Sequence, residues 1–268
     1  MPTLSPSLRD WILATHRAGH DLDAIMALLE THGYDATAYR NAVAQLVRVE
    51  LAPPATGARR TRHPTTPEVQ LGERTVAVTA SLDRPLVRVL DGLLTHAECD
   101  ELIALARPRL ARALTVDAQG GQQVDRRRTN AGMFFKPGEF PLVARIEQRI
   151  AELVDLPASH GEGLQVLHYE SGQEYQPHYD WFDPAQAGYD AITARGGQRI
   201  ATIVMYLNTP EAGGGTAFPK AGLTVTARRG TAVYFAYTGG DESSLHAGLP
   251  VARGEKWIAT KWLRERPY

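Results

Sequence analysis

The sequence predicts an α+β protein with a double-stranded β-helix core of the jelly-roll or cupin-like kind, flanked by helices and preceded by a small helical region. Three observations support this prediction. Apolar residues recur at helical spacing near the start of the chain, a proline-rich segment follows, and from Gly163 onward short β-type runs alternate with glycine-containing turns. Short strands without intervening helices are typical of antiparallel double sheets.

Residues 5–50 are predicted to form two or three small helices. Apolar side chains recur about every 3.6 residues on both sides of a break at "HGYD", namely Leu22, Ile25, Met26 and Leu29, then Tyr39, Val43, Leu46 and Val47. The next segment, "APPATGARRTRHPTTP", is rich in proline and basic residues, so we expect a linker. The predicted organisation is a helical region at 1–51, a linker at 52–67 and a larger domain at 68–268.

The larger domain begins with two predicted strands, "RTVAVTA" and "PLVRVL". Two amphipathic helices follow. The first opens at Thr95, with Glu98 at the spacing of a capping box, and the second spans "FPLVARIEQRIAELVDL". Seven further runs are predicted as strands, namely "LQVLHY", "YQPHYD", "RIATIVMYL", "LTVTA", "GTAVYFAY", "SSLHAG" and "KWIATKWL".

The composition narrows the classes of function. The 268 residues are 43% hydrophobic and carry a formal charge of -1, which gives no electrostatic reason to expect nucleic acid or an anionic membrane as the partner. The N-terminus has no signal-peptide pattern and no segment is long and apolar enough to span a bilayer, so we expect a cytoplasmic protein. The single cysteine, Cys99, excludes an intramolecular disulfide and a multi-cysteine metal site.

His178 and Asp180, in "GQEYQPHYDWFD", are candidate metal ligands. Alternate side chains of an extended strand share one face, so both donors can reach one ion. His246, in "SSLHAGLPV", is the candidate third ligand. Two histidines and one carboxylate favour iron, manganese or zinc and leave coordination positions open. The alternatives are an exposed polar turn for the first pair and a structural histidine at position 246.

Lys256 is predicted to be a cation on the inner wall of the barrel. Strand alternation in "RGEKWIATKWL" places Lys256, Ile258, Thr260 and Trp262 on one face. A lysine at a strand end is more often solvated, but a buried ammonium group needs an anion. Together with the candidate metal ligands, this pattern indicates a cavity that holds charged ligands.

Six stretches occur in an order and at a spacing that characterise one known family: "RRRTNAGMFF", "LQVLHYESGQEYQPHYDWF", "GGQRIATIVMYLN", "GGGTAFP", "GTAVYFAY" and "SLHAGLPV" with "RGEKWIATKWL". They lie between Pro85 and Tyr268, a region of roughly two thirds of the chain. In these stretches the chain resembles the prolyl 4-hydroxylase branch of the iron(II) and 2-oxoglutarate dependent dioxygenases.

The resemblance implies two sets of site residues. The iron ligands would be His178, Asp180 and His246, and retention of the carboxylate argues against a halogenase. The 2-oxoglutarate site would include Lys256, which would bind the distal carboxylate of the cosubstrate, and Thr260 as a second donor. The other residues of that site would be Tyr169, Tyr206 and Trp262. Taken one at a time, these three aromatic residues are equally compatible with a place in the core.

Two arginines and one long segment are candidates for the substrate side of the iron site. Arg199, in "GGQR", matches a position near the substrate side of the iron. Arg128, in "VDRRRTN", is a candidate edge of the substrate groove, with a solvated run of charge as the alternative. The long segment "WFDPAQAGYDAITARGGQR" has the position of a mobile flap over the site.

The implied activity is hydroxylation of a prolyl residue in a peptide or protein, with iron(II), 2-oxoglutarate and O2, and with ascorbate as a reductant. Three alternatives stay open: hydroxylation of a free amino acid or natural-product intermediate, a non-catalytic sensor or binding protein on the same fold, and a zinc enzyme. The expected partner is a peptide, protein or small-molecule substrate, without nucleic acid or membrane. The N-terminal helices could recruit a protein substrate, form a homodimer or cap the catalytic domain.

Overall fold

The computed structural model describes residues 4–17, 20–51, 61–112, 115–116, 122–123 and 129–268. Contacts divide the chain into two compact units. One comprises Met1–Ala58 with Asp183–Tyr189, and the other comprises Arg59–Phe182 with Asp190–Tyr268. No helix among the described residues has both the length and the apolar character required to cross a membrane.

The part of the smaller unit that the structure describes contains three helices, α1 (Pro6–Arg17), α2 (Leu22–Thr31) and α3 (Ala36–Leu51). Asp21 caps α2, because its side chain accepts a hydrogen bond from the backbone N–H of Ala24 at 2.8 Å. The helices share a small core that uses the apolar positions predicted from their spacing, including Ile25, Leu29 and Val43. Two or three helices were predicted and three are present, and the core residues follow the helical period.

The described residues after this unit form three α-helices and seventeen strands. The helices are α4 (His96–Ala106), α5 (Pro141–Val154) and α6 (Tyr189–Ala194). The strands are β1 (Glu68–Leu71), β2 (Arg74–Asp83), β3 (Leu86–Asp91), β4 (Ala111–Arg112), β5 (Thr115–Val116), β6 (Gln122–Gln123), β7 (Ala131–Phe135), β8 (Leu164–Tyr169), β9 (Tyr175–His178), β10 (Arg199–Tyr206), β11 (Ala212–Gly213), β12 (Thr216–Phe218), β13 (Leu223–Val225), β14 (Ala232–Ala236), β15 (His246–Gly248), β16 (Val251–Arg253) and β17 (Lys256–Arg264).

Two antiparallel sheets form the core of the larger unit. The larger sheet has the order β1-β2-β3-β14-β10-β17-β8-β7-β4, and the smaller sheet has the order β13-β12-β15-β9. Side chains from both sheets, such as Val204 and Phe218, belong to one buried cluster, so the sheets pack face to face. The outer face of the larger sheet packs against the apolar faces of α4 and α5, for example at Leu102 and Ile146. The predicted α+β double-stranded β-helix is confirmed.

The central strand β17 explains how the site is built. All nine of its residues are buried, and it pairs with β10 on one side and β8 on the other. Because successive side chains point to opposite faces, Lys256 and Thr260 face the smaller sheet. Lys261 points to the helix side instead and forms a salt bridge with Glu147 of α5 at 2.5 Å.

The structure differs locally from the expectations. "SSLHAG" is not strand throughout: residues Glu242–Ser244 form a 3-10 turn, because the side chain of Asp241 accepts from the backbone N–H of Ser243, and β15 begins only at His246. The predicted strand "YQPHYD" likewise ends at His178, since its partner β15 begins at the paired residue His246. β7 and the short helix α6 were not predicted.

Residues 61–67, predicted to be part of a linker, belong to the larger unit. Thr61 hydrogen-bonds the Tyr234 hydroxyl at 2.6 Å, and the buried Arg88 donates to the carbonyl of Pro64 at 2.9 Å. Polar contacts therefore fix the described part of this segment. The linker prediction considered only its lack of apolar side chains and did not anticipate these contacts.

Candidate active site

His178, Asp180 and His246 converge at one end of the space between the two sheets. One ligand atom from each lies within 4.8 Å of the others. Nε2 of His178 is 3.6 Å from Asp180 Oδ1, and Nε2 of His246 is 3.5 Å from Asp180 Oδ2. The two histidines are paired directly across β9 and β15, whereas Asp180 lies just beyond the end of β9. The metal-ligand set proposed from sequence is therefore assembled by strand pairing and one turn.

Both imidazoles are oriented with Nε2 toward the carboxylate. Nδ1 of His178 is 2.8 Å from the Gln176 carbonyl, and Nδ1 of His246 is 3.0 Å from the Ser244 carbonyl. Because a carbonyl oxygen only accepts, each Nδ1 donates its proton to a backbone carbonyl, and Nε2 is the nitrogen that faces the carboxylate. Metal binding through Nε2 requires this ring orientation.

Asp180 is buried, with only 6% of its surface exposed to solvent. Burial alone would raise the pKa of its carboxyl. The neighbouring imidazoles of His246 and His178, the Arg199 guanidinium and a hydrogen bond from Thr202 outweigh burial and lower the pKa to about 2. The site thus holds a carboxylate anion at neutral pH.

Lys256 is a buried cation without an acidic partner among the described residues. Its side chain is 1% exposed, its Nζ donates to the Gly214 carbonyl at 2.9 Å, and Nζ lies 4.4 Å from the ring centroid of Tyr169. Burial lowers the pKa of Lys256 to about 8. An anion placed beside this ammonium group would compensate the cost of burying its charge.

A cavity joins the metal-ligand set to Lys256. About 440 Å³ of space, part of it open to solvent, is bounded by residues that include all three predicted metal ligands. Tyr169, Lys256, Thr260 and Trp262, the residues proposed for the 2-oxoglutarate site, also line it. Tyr206 is not among the residues that line the cavity. Its hydroxyl donates to the Thr216 hydroxyl at 2.7 Å, and Thr216 lines the cavity.

Arg199 lies behind Asp180 in a buried network of charges. Its guanidinium forms a salt bridge with Glu162 at 2.6 Å, reaches the Asp180 carbonyl at 3.4 Å and lies 4.1 Å from the Trp262 ring centroid. Arg264 shares the same Glu162 carboxylate at 2.7 Å. These contacts fix the position of the Arg199 side chain beside Asp180. Arg128, with the neighbouring arginines, lies outside the described residues.

Sequence reasoning did not identify Thr202, Tyr237, Glu162 or Arg264. All are buried and contact Asp180 or Arg199 directly or through one another. Their positions carry no motif, since threonine and tyrosine are common in any strand. Glu162 and Arg264 can be recognised as buried partners only once the fold has brought their segments together.

The donor set fits an octahedral iron(II) centre. Two imidazoles and one carboxylate, all nearly buried, would supply three ligands to such an ion at the edge of the cavity. The fold and this site together define a mononuclear metal centre of the two-histidine, one-carboxylate class on a double-stranded β-helix.

Comparisons with known proteins agree with that class. Residues 164–264 match the profile of the 2OG-Fe(II) oxygenase superfamily. The chain is 41% identical over 208 residues to probable prolyl 4-hydroxylase 3 of Arabidopsis thaliana, which covers 69% of this chain and 71% of that protein. Identity to prolyl 4-hydroxylase 5 of the same plant is 40% over 215 residues, or 71% and 72% of the two chains. The chain belongs to the prolyl 4-hydroxylase-like 2-oxoglutarate and iron(II) dependent oxygenases.

Solved structures show the same fold. The crystal structure of a viral collagen prolyl hydroxylase from Paramecium bursaria Chlorella virus-1 with 2-oxoglutarate gives a TM-score of 0.53 at 30% identity, over 66% of this chain and 95% of that chain. A prolyl hydroxylase from Trichoplax adhaerens, in complex with a peptide fragment of the hypoxia inducible factor oxygen degradation domain, gives 0.52 at 14% identity, over 69% and 86%. The second likeness concerns the fold alone. Iron(II), 2-oxoglutarate and O2 are the cofactor and cosubstrates of this family.

Proposed function

We propose that this protein hydroxylates a prolyl residue in a peptide or protein, using iron(II), 2-oxoglutarate and O2. The observation that carries the proposal is a single cavity lined both by His178, Asp180 and His246 and by the buried cation Lys256. Its relatives of about 40% identity are named as prolyl 4-hydroxylases. The chemistry supplied at such a centre couples oxidative decarboxylation of 2-oxoglutarate to succinate and carbon dioxide with insertion of one oxygen atom of O2 into a substrate C–H bond.

Different residues of this chain would bind the metal and the cosubstrate. The two imidazoles and the carboxylate would hold the metal, and all three side chains line the cavity that would receive the cosubstrate. Lys256 places a positive charge where the distal carboxylate of 2-oxoglutarate would bind, and the Thr260 hydroxyl lines the same wall. Because Lys256 is buried, the low local dielectric would strengthen that charge pair.

An exposed aromatic side chain favours a peptide over a free amino acid. Phe134 is 44% exposed, although it is a large hydrophobic residue. Strand pairing places Phe134 beside Gln165, and Gln165 beside Thr260, in one row across β7, β8 and β17. Phe134 therefore lies on the same face of the sheet as the cavity wall, with its ring centroid 6.3 Å from that of Trp262. Phe134 is not among the residues that line the cavity, so a peptide residue flanking the target proline would have an apolar surface to contact outside it.

The test compares two substrate types under identical conditions. Iron-loaded protein is incubated with 2-oxoglutarate and either proline-rich peptides or free proline. Succinate formation and a mass gain of one oxygen atom are followed by mass spectrometry. We expect turnover with peptide and none with His178→Ala, whose metal site lacks one ligand. Turnover with free proline or another small molecule alone would replace the proposed substrate class, and no consumption of 2-oxoglutarate with a broad substrate panel would indicate a binding protein.

Three further expectations stay predictions. They are a cytoplasmic location, a homodimer through the N-terminal helices, and ascorbate as a reductant during turnover. Size-exclusion chromatography with light scattering, comparing the full chain with a variant lacking residues 1–51, would test the second.

A further inference from the structure

The hydroxyl groups of Thr202 and Tyr237 form a chain behind the Asp180 carboxylate. Thr202 lies on β10 and is fully buried, and its Oγ1 is 2.7 Å from Asp180 Oδ2. The Tyr237 hydroxyl is 2.7 Å from the same Oγ1. Tyr237 directly follows β14, and its backbone N–H donates to the Ile200 carbonyl, so the main chain fixes its position.

The direction of this chain follows from the chemistry of its members. An ionised carboxylate only accepts hydrogen bonds, so the single Thr202 proton is donated to Asp180. The Thr202 oxygen is then an acceptor, and the Tyr237 hydroxyl must be the donor to it. Donation therefore runs from Tyr237 through Thr202 to Asp180. In a buried site each bond in such a chain polarises and strengthens the next.

Asp180 needs this support because no strand holds it. It lies beyond the end of β9, and Arg199 contacts only its backbone carbonyl. Among the described residues, Thr202 is the side chain that donates a hydrogen bond to the carboxylate itself. Without that bond, rotation of the carboxylate would move its oxygens away from the Nε2 atoms of the two histidines.

We propose that Thr202 and Tyr237 are positioning residues that orient the Asp180 carboxylate for metal binding and thereby set the affinity of the site for its divalent cation. Thr202 acts directly, and Tyr237 acts only through Thr202. The inference depends on the metal centre but not on the prolyl substrate. It is therefore tested without substrate, and its outcome is separate from that of the proposed function.

The test measures Mn(II) binding to the full-length, metal-free protein by isothermal titration calorimetry, under conditions that need no turnover. Thr202→Val keeps the shape of the side chain but removes the hydroxyl, and we expect a loss of about 10- to 100-fold in affinity. Thr202→Ser keeps the hydroxyl and should bind within about 3-fold of the wild type. Tyr237→Phe should lose about 2- to 10-fold, the worth of one hydrogen bond between neutral groups.

The double variant Thr202→Val with Tyr237→Phe identifies the pathway. If Tyr237 acts only through Thr202, the double variant should bind Mn(II) no more weakly than Thr202→Val alone. The matched control is Thr231→Val, which removes a buried hydroxyl that donates to the Arg228 carbonyl and not to a metal ligand, and should leave Mn(II) affinity unchanged.

Three results would overturn the proposal. Wild-type affinity in Thr202→Val would show that the hydroxyl does not position the carboxylate. Equal losses in the valine and serine variants would indicate packing rather than hydrogen bonding. Additive losses in the double variant would show that Tyr237 acts independently. Circular dichroism of each variant separates these results from a failure to fold.

Discussion

Replacing Lys256 by methionine is expected to stabilise the ligand-free protein while weakening its binding of 2-oxoglutarate. The side chain is 1% exposed, and burial lowers its pKa from 10.5 to about 8. That difference corresponds to roughly 3 kcal/mol of unfavourable free energy for the charged form. Methionine removes this cost but leaves the Gly214 carbonyl without its donor, which costs about 1 kcal/mol. The net expectation is a gain of about 2 kcal/mol in the free energy of unfolding near pH 7.

The stability difference between Lys256→Met and the wild type depends on pH. Lys256 has a lower pKa in the folded state than in the unfolded state, so its destabilising effect is fully present below about pH 8. As the pH rises from about 8 toward 10.5, the folded protein releases the proton first and the cost disappears. The stability difference between Lys256→Met and the wild type should therefore be largest near neutral pH and should shrink over this range.

The opposite effect is expected on the cosubstrate. A hydrogen bond to a charged group is worth about 1.5–3 kcal/mol, so the KM for 2-oxoglutarate should rise by about 10- to 150-fold in Lys256→Met. Urea unfolding of metal-free protein, extrapolated to zero denaturant, measures the stability. Succinate formation at saturating iron measures the KM.

Lys261 provides a matched control on the same strand. It is equally buried, but it points to the opposite face and pairs with the buried Glu147. Lys261→Met would leave that carboxylate without its counter-charge, which costs about 3–5 kcal/mol. A Lys256→Met protein that is less stable than the wild type near pH 7, or that keeps the wild-type KM, would refute this account of Lys256.

Three further predictions follow from the same contacts. Because 2-oxoglutarate needs the charged Lys256, its KM at saturating iron should rise as the pH increases above about 8, and a flat profile from about pH 7 to 9 would contradict this. Phe134→Ala should raise the KM for a proline-rich peptide by about 10-fold but leave the KM for 2-oxoglutarate unchanged; equal effects on both would exclude a peptide contact. Glu162→Gln should lower the free energy of unfolding by about 3–5 kcal/mol, because Arg199 and Arg264 lose a shared buried counter-charge. A loss below about 1 kcal/mol in urea unfolding would show that the two arginines have other adequate partners.

The elements and the main site residues could be predicted because they depend on local patterns. Alternation along β17 is enough to place Lys256 and Thr260 on one face, and the capping box at Thr95 and Glu98 is present at the start of α4. His178 and Asp180 could be proposed as a pair from their spacing. The structure brings them together with His246, although a turn rather than strand alternation places Asp180.

The supporting residues could not be predicted, because their function exists only in contacts between distant segments. Thr202 looks like any β-branched strand residue until β10 is placed beside the turn that carries Asp180. Lys256 and Lys261 are both buried, and only the packing of α5 against the helix-side face shows which of them has an acidic partner.

The amino-acid sequence by itself determined the period of each helix and strand, the donor types available for a metal and the face of β17 that Lys256 shares with Thr260. Those properties depend on residues a few positions apart, which the chain order specifies directly. Only the tertiary structure decided how Asp180 is oriented and which buried charges are compensated. Such contacts require two segments to meet in space, and the free energy of a buried polar group depends on the partner that it finds there.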